Sequence, residues 1–416
     1  MSMAVAGTPF KTLPNPWSGA HSSPVAAPLA DADPLMGELR PFVFAAGEAS
    51  GDALAAPVLE AIRLLAPDVH CSGIAGEQMI AAGCEPWYHV RELSVRGYVE
   101  VLRQLPRLWK LRRHLRDRVI ASRARVFVGV DSPDFNLRLE CWLRQAGIPT
   151  VHYVGPSIWA WRKERIELVR RAASHVLLIF PFEQALYKDA GIEASYVGHP
   201  LAMKIPKAPD ATAARLRLGL AMDTRVIALL PGSRLAEIEY LAPLFLEAAA
   251  LMHQSDAQLR FVLPVADRSL TDLLMSCLKR WPDIAPHVSL ISGRARDCLE
   301  AADGVLVASG TATLEAALYK RPMVIAYRMP RLSWWLMKHR AYLPWVGLPN
   351  IWAREFLVPE LLQDEATPRA LADALKKQMD ADPTMLRERF SAMHDELLRN
   401  TPQLAAEAIM KTAQGA

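Results

Sequence analysis

The first residues that could do chemistry form a tight turn, PGSR at 231–234, between an apolar run and a predicted helix. Small residues let the backbone approach a phosphate, the first N–H groups of a helix lack partners, and Arg234 can bind an anion with two hydrogen bonds. An ordinary loop with a surface arginine explains the turn about as well. The candidate nucleotide-sugar ligands here are Gly232, Ser233, Arg234 and Glu237.

A second turn of this kind, SGTATLE at 309–315, follows an apolar run that ends at Ala308. Small hydroxyl residues at a helix start suit a pyrophosphate, and Glu315 could accept hydrogen bonds from ribose hydroxyls. Capping of the helix by Ser309 or Thr311 is the alternative. Together the two turns indicate a nucleotide diphosphate. The candidates in the second turn are Ser309, Gly310, Thr311, Thr313 and Glu315.

In the first half, GEASGD at 47–52 follows the first predicted strand. The carboxylates of Glu48 and Asp52 would repel phosphates, so sugar hydroxyls are better partners for this loop. Helix capping by Ser50 or Asp52 is the alternative. The candidate acceptor residues are Gly47, Ser50 and Asp52.

The segment VGVDSPDFN at 128–136 places Asp131 at the carboxyl end of a predicted buried strand. A carboxylate there is costly unless it is paired or used, which makes Asp131 the candidate general base. It could instead cap the next helix, an alternative that applies more strongly to Asp134. Further on, HYVGPSIWAWR at 152–162 sets tryptophans beside an arginine. Trp161 could stack on a sugar, although packing is the commoner use of tryptophan.

The elements that must position these residues recur in a βαβ rhythm. Short runs rich in Val, Ile, Phe and Leu alternate with helical patterns, which predicts an α/β fold of two Rossmann-like, doubly wound parallel sheets. Ligands then lie beyond the carboxyl ends of the strands, in a cleft between the sheets. The predicted strands are Phe42–Ala46, His70–Ile74, Val126–Val130, Thr150–Val154, Val176–Phe180, Val226–Leu230, Arg260–Leu263, Val288–Ile291, Val305–Ala308 and Met323–Tyr327.

Four segments follow from this rhythm. Residues 1–40 are rich in Ala, Pro and Ser and are expected to be a disordered extension. We expect an acceptor and membrane-associating domain over 41–203, and a UDP-sugar domain over 204–384. Prolines are expected to keep the linker 199–210 irregular. Helices over 385–416 return to the first domain or reach a partner chain.

Composition excludes several classes. The net charge of +4 over 416 residues argues against a nucleic-acid binder, and no GxGxxG supports a nicotinamide dehydrogenase. Five cysteines without a CxxC pair indicate reduced thiols in a cytoplasmic protein, and no metal site is expected. No apolar run is long enough to predict a membrane span. The first forty residues lack the basic start and apolar region of a signal peptide. The basic, apolar stretch 103–118 suits an anionic membrane surface, or else is a core-facing helix with a basic outer face.

Taken in order, six motifs resemble those of the lipid-A-disaccharide synthase family, from about residue 41 to the C-terminal helices. The resemblance implies a GT-B glycosyltransferase without metal or cofactor at the cytoplasmic face of the inner membrane. It implies UDP-2,3-diacylglucosamine as donor, 2,3-diacylglucosamine 1-phosphate (lipid X) as acceptor, and a β-1,6-linked disaccharide. The motifs are GEASGD at 47–52, VGVDSPDFN at 128–136, HYVGPSIWAWR at 152–162, LLPGSRLAEIE at 229–239, ASGTATLEAAL at 308–318 and LPN at 348–350.

The resemblance also implies roles for single residues. Asp131 matches the essential aspartate, Glu48 a further catalytic position, and Arg234 a position that serves catalysis and UDP. Ser233 and Glu315 match other UDP positions, and Asn350 matches a functional position in LPN. Near Gly293, Arg294 is expected to approach the uracil. Pro200 stands where threonine is also seen in relatives, and Arg96 and Pro106 stand where relatives can be more apolar.

Three other functions stay open at this point. On the same architecture, the chain could be a UDP-N-acetylglucosamine epimerase or a peptidoglycan-type transferase. It could also be a membrane or nucleic-acid binding protein that uses the basic stretch, although the phosphate turns and Asp131 would then have no task. A homodimer is possible, and no nucleic-acid partner is expected.

Overall fold

The computed structural model describes residues 40–93, 98–159, 163–331, 334–335 and 342–415. Within it, Arg40–Ala416 forms one compact unit. The extension expected over 1–40 lies outside the described residues except for Arg40. Trp161 also lies outside them.

Two parallel sheets form the framework. The first has the order β3-β2-β1-β4-β5-β6-β7 and the second β10-β9-β8-β11-β12-β13. Their strands are β1 Phe42–Ala46, β2 Cys71–Ala75, β3 Glu85–His89, β4 Val126–Val130, β5 Thr150–Tyr153, β6 His175–Leu178, β7 Ala194–Tyr196, β8 Val226–Leu230, β9 Arg260–Val265, β10 Val288–Ser292, β11 Gly304–Ala308, β12 Met323–Tyr327 and β13 Glu360–Leu362.

Helices connect the strands and cover the sheets. In the described ranges they are α1 Ala49–Leu65, α2 Glu77–Ala81, α3 Tyr98–Ala121, α4 Pro133–Gln145, α5 Ile166–Ala172, α6 Glu183–Asp189, α7 Pro200–Lys204, α8 Ala211–Leu218, α9 Leu235–Ser255, α10 Thr271–Lys279, α11 Ala295–Ala301, α12 Thr311–Leu318, α13 Leu348–Ala353, α14 Pro368–Asp380, α15 Thr384–Leu397 and α16 Thr401–Gln414.

The sequence prediction of two doubly wound parallel sheets is confirmed. Strands β1, β4 and β8 are buried along their whole length, which is why their apolar runs are continuous rather than alternating. All ten predicted strands exist, with shifts of a few residues at some ends. The order in each sheet reverses beside β1 and β4, and beside β8 and β11, so the strand ends there open a crevice.

The linker differs from the expectation. Residues 200–204, predicted to be irregular, form the short helix α7. Pro200 occupies its first position, where a missing N–H costs nothing, and the ring of His199 accepts a hydrogen bond from Leu201 N at 3.2 Å. Asp210 then caps α8 by accepting from Ala213 N at 2.9 Å. The prolines therefore delimit the helices of this linker instead of abolishing them.

The last two helices tie the molecule together. Helix α16 packs along α1, and α15 contacts α12 and α7. Ala405, Ala406 and Ile409 of α16 are fully buried in the core that also contains Leu59 of α1. The C-terminal segment therefore returns to the first sheet after the second sheet is complete.

Candidate functional site

The backbone at Asp131 has an unusual geometry. Asp131 and Ser132 are both left-handed, with φ of 52° and 45°, between the end of β4 and the start of α4. Asp131 N donates to Tyr153 O at 2.8 Å. The N-cap position belongs to Ser132, not to Asp131 or Asp134, so the capping alternative does not describe either carboxylate. Non-glycine residues in this region are strained, and such strain concentrates at functional sites.

The loop at 47–52 lies directly against this turn. A Cβ on Gly47 would come within 1.9 Å of Ser132 Oγ, so only glycine permits the contact. Glu48 follows at the N-cap position of α1 with its side chain exposed and with no capping bond. Gly51 also approaches Val130 O. The fold thus brings the Glu48 loop and the Asp131 turn, 83 residues apart in the chain, to one sheet edge.

A cavity of about 140 Å³ opens beside Asp131 at the carboxyl ends of β4 and β5. Val154 in its wall has a φ of 76°, a third strained non-glycine residue at this edge. Arg165, which the sequence did not single out, places a cation in the lining and forms an ion pair with Asp134 at 2.6 Å. The lining residues are Asp131, Pro133, Val154, Gly155, Pro156, Ser157, Ile158 and Arg165.

Asp52 has a role other than the sugar contact expected for it. Its side chain is buried, and its carboxylate accepts from Gly76 N at 2.8 Å, Gln78 N at 3.0 Å and Met79 N at 3.0 Å. These are the unpaired N–H groups at the start of α2. Both oxygens are therefore used to join α1 to α2. Ser50, by contrast, is exposed in the first turn of α1.

In the second sheet, the turn at 231–234 already holds a carboxylate. Glu237 Oε2 accepts from Ser233 N at 3.0 Å and from Arg234 N at 3.3 Å. Its Oε1 pairs with Arg234 Nη1 at 3.1 Å, although the arginine side chain is 80% exposed. Gly232 has no room for a Cβ beside Glu237. The N–H groups predicted to meet a phosphate are thus occupied by a side chain of the same helix.

The turn at 309–313 presents a more open helix start. Ser309 Oγ donates to Val346 O at 2.8 Å, and Thr313 Oγ1 donates to Gly310 O at 2.8 Å while accepting from Leu348 N at 3.2 Å. These two hydroxyls therefore hold the 346–348 loop. Gly310, not Ser309 or Thr311, is the N-cap residue of α12, and a Cβ there would meet nothing within 4 Å. Gly310 and Thr311 form the exposed surface at this helix start.

Glu315 and an unpredicted arginine lie one turn further along. Burial raises the pKa of the Glu315 carboxyl, and Arg296, whose Nε lies 3.5 Å from Oε1, opposes that rise. Arg294, the residue expected at the uracil, bonds instead to Asp297 Oδ2 at 2.9 Å and to Arg217 O at 3.0 Å. Arg296, two residues further along in the first turn of α11, is therefore the arginine that faces the Glu315 helix.

Asn350 also has a role other than the expected one. Its Nδ2 donates to Val358 O and to Glu360 Oε1, both at 2.8 Å, and its Oδ1 accepts from Val358 N at 3.0 Å. The side chain is fully buried, and both amide hydrogens are used. Glu360 in turn accepts from Val346 N and Gly347 N at 2.9 Å. In this structure the Asn350 side chain therefore holds the loop beside α12.

A family model described as lipid-A-disaccharide synthetase matches residues 42–410. The chain belongs to the lipid-A-disaccharide synthase family. It is therefore a glycosyltransferase of lipid A biosynthesis. The lipid-A-disaccharide synthase of Bordetella avium is 50% identical over 388 residues, covering 89% of this chain and 98% of that protein. The enzyme of Verminephrobacter eiseniae is also 50% identical, over 384 residues that cover 91% and 98%.

Solved structures agree on the fold alone. A UDP-N-acetylglucosamine 2-epimerase from Neisseria meningitidis, bound to UDP-GlcNAc, has a TM-score of 0.59 at 10% identity and covers 90% of this chain and 99% of that one. MurG of Acinetobacter baumannii has a TM-score of 0.51 at 15% identity and covers 89% and 99%. Together with the two parallel sheets, these likenesses place the chain of the lipid-A-disaccharide synthase family in the GT-B fold.

The described residues contain no group of three or more His, Cys, Asp or Glu side chains placed to hold a metal ion. No helix among them combines the length and the apolar character needed to cross a bilayer.

Proposed function

We propose that the chain transfers 2,3-diacylglucosamine from its UDP carrier to 2,3-diacylglucosamine 1-phosphate (lipid X). The products are the β-1,6-linked lipid A disaccharide 1-phosphate and UDP, with inversion at the anomeric carbon. The observation that carries this proposal is the Asp131 carboxylate beside a cavity at the carboxyl ends of β4 and β5. The two substrates are those that the motif resemblance to the lipid-A-disaccharide synthase family implies.

In this mechanism, Asp131 takes the proton of the acceptor 6-hydroxyl. The oxygen then attacks the anomeric carbon from the face opposite UDP, and the bond between that carbon and the diphosphate oxygen breaks through an oxocarbenium-like transition state. The negative charge that develops on UDP is met by Arg234 and by the start of α12 at Gly310 and Thr311. Because Arg234 is largely exposed, it can turn toward the diphosphate. Glu315 is half-buried within reach of the same helix start and suits ribose hydroxyls.

We further propose that the chain works at the cytoplasmic face of the inner membrane, bound peripherally through α3. Trp109 is exposed on this helix, and the Arg113 guanidinium lies 4.6 Å from the centre of its ring. A cation beside an exposed aromatic ring suits the headgroup region of an anionic bilayer. Other arginines of α3 have packing roles, because Arg118 lies over Trp87 and Arg116 over Trp142.

The direct test mixes the purified protein with both acylated substrates in detergent and EDTA. UDP release and disaccharide mass are followed together, and formation of both products supports the transferase reaction. Conversion of UDP-N-acetylglucosamine without acceptor would replace the proposal with an epimerase. If the protein binds UDP but forms no disaccharide, the proposal would be reduced to a transferase that uses another acceptor.

The base is tested with Asp131→Asn. We expect turnover to fall about 10²–10⁴-fold, the usual contribution of a general base, while UDP affinity changes less than about twofold. Asp68→Asn, an exposed carboxylate outside the site, is the matched control and should keep wild-type turnover. A near wild-type rate for Asp131→Asn would remove this residue from the mechanism.

A further inference from the structure

One buried amide holds the strained turn that carries Asp131. The side chain of Asn136, on the first turn of α4, is fully buried. Its Nδ2 lies 2.9 Å from Asp131 O, 3.2 Å from Ala45 O and 3.4 Å from Val130 O. Its two hydrogens therefore serve carbonyls at the ends of both β1 and β4. Both backbone polar groups of Asp131 are therefore bonded: its carbonyl accepts from Asn136 Nδ2, and its N–H donates to Tyr153 O.

The helix that presents this amide is itself fixed by a buried side-chain hydrogen bond. Glu140, one turn after Asn136, pairs with His152 Nδ1 at 2.8 Å, and neither side chain is exposed. Gly129 lies between Ala45 and His152 in the sheet register, and a Cβ on it would come within 2.0 Å of Glu140 Oε1. The glycine thus lets α4 lie close enough to β4 for Asn136 to reach the strand ends.

We propose that Asn136 is a positioning residue for the reaction: it fixes the left-handed Asp131–Ser132 turn, so that the Asp131 carboxylate stays directed at the acceptor. This inference rests on the proposed function of Asp131 as the base. Left-handed conformations are unfavourable for residues with a Cβ and persist only where the surroundings impose them. Without the amide, the Asp131 carbonyl has no such restraint, and the turn relaxes toward ordinary dihedrals. Misplacement of a catalytic group by about 1 Å can cost on the order of a hundredfold in rate.

The first experiment separates positioning from general stability. Asn136→Ala is expected to lower kcat at least tenfold, with the KM values and UDP affinity changed less than about threefold. Thr150→Val is the matched control, because Thr150 is equally buried and donates to Ala172 O at the opposite end of β5. The control is expected to lose thermal stability but to keep its kcat. Equal kcat losses in both variants, or a wild-type kcat for Asn136→Ala, would overturn the proposal.

The second experiment uses Asn136→Asp, which preserves the shape. Burial against carbonyl oxygens raises the pKa of the new carboxyl, so at low pH its O–H still donates to the turn. Once it ionises, the carboxylate repels the carbonyls. The ratio of variant to wild-type kcat should therefore fall at least tenfold as pH rises, while the ratio for Thr150→Val stays flat. A flat ratio for Asn136→Asp would contradict the proposal, and this variant serves equally if Asn136→Ala does not fold.

A combined variant distinguishes failure of this inference from failure of the base assignment. In the Asp131→Asn background, Asn136→Ala should lower the residual rate less than about twofold, because the group it positions is gone. If Asp131→Asn alone remains active, the base assignment fails and positioning of a base fails with it. If Asp131→Asn is inactive while Asn136→Ala is fully active, only the positioning role is wrong.

Discussion

At the scale of single residues, Glu237 occupies the start of α9, where the diphosphate of the proposed donor would bind. Its carboxylate accepts from Ser233 N and Arg234 N, the N–H groups at the start of α9 that a diphosphate would use. Two anions cannot share one helix start. We therefore expect Glu237 to swing aside when UDP binds, which frees Arg234 at the same time.

Glu237→Gln tests this competition. The amide keeps an acceptor oxygen for the turn but removes the negative charge, so UDP should bind about three- to tenfold more tightly, or roughly 1 kcal/mol. Calorimetric titration with UDP gives the affinity. Glu239→Gln, two residues further along the exposed side of α9, should leave it unchanged. Weaker or unaltered binding by Glu237→Gln would mean that the carboxylate does not block the donor.

The same scale shows what a sequence can reveal of a site. The motifs correctly indicated loops that meet at sheet edges, since Gly47 and Ser132 are in contact. They did not reveal the task of each polar side chain. Asp52 and Asn350 are occupied by backbone groups of other elements, and a carboxylate or amide in a loop looks alike in sequence whether it binds a ligand or holds a helix start.

At the scale of elements, α6 anchors the wall of the Asp131 cavity. Its first residue, Glu183, is buried and accepts from Trp159 Nε1 at 3.0 Å and from Phe180 N at 3.1 Å. Trp159 follows directly on the cavity residues Ser157 and Ile158. Burial raises the pKa of Glu183 to about 8, which the two N–H donors only partly offset.

This shift predicts a pH-dependent stability. The usual pKa of 4.5 applies to the unfolded chain, so between about pH 4.5 and 8 the folded state binds the extra proton. Stability from Glu183 is thus present below pH 4.5 and is lost as pH rises toward 8, by on the order of 4 kcal/mol. Glu183→Gln cannot titrate. Urea unfolding at pH 5 and pH 8 should show wild type losing several kcal/mol relative to the variant, and parallel curves would contradict this.

The proposed binding to membranes through helix α3 can be tested at Trp109. Trp109→Ser should weaken sedimentation with vesicles of phosphatidylcholine and phosphatidylglycerol about five- to tenfold, because it removes the exposed ring beside Arg113. Leu64→Ser removes an apolar side chain of α1 that is even more exposed than Trp109, and it should leave binding intact. Added salt should weaken the binding of wild type. Equal losses in both variants would indicate nonspecific adsorption.

Elements differ in how well the sequence predicts them. Central strands such as β1, β4 and β8 are continuous apolar runs and were predicted with the observed bounds. The unpredicted strands β3, β7 and β13 lie at sheet edges and are partly exposed and partly polar, and β7 and β13 have only three residues each. Their hydrogen bonds to a neighbouring strand form them, and a local hydrophobic pattern does not record that partner.

At the scale of the whole molecule, one polar chain joins three distant segments. Lys320 Nζ, just after α12, donates to Leu318 O and to His394 Nδ1, both at 2.6 Å. His394 Nε2 then donates to Ala202 O of the linker helix α7 at 2.9 Å. Helix α12, whose N-cap residue is Gly310, is thus linked to the C-terminal segment and to the connection between the two sheets.

Loss of Lys320 should therefore loosen the contact between the two halves without altering the proposed donor site. Lys320→Met leaves the ring nitrogen of His394 and the Leu318 carbonyl without their donor, which costs about 1–3 kcal/mol of the free energy of unfolding. Lys376→Met, which removes an exposed lysine paired with Asp380 on α14, should cost less than about 0.5 kcal/mol. Because the proposed reaction holds the UDP-sugar on one half and the acceptor on the other, Lys320→Met should lower kcat while UDP affinity stays within about twofold. Equal stability of the two variants would show that the chain from Lys320 to Ala202 does not couple the two sheets.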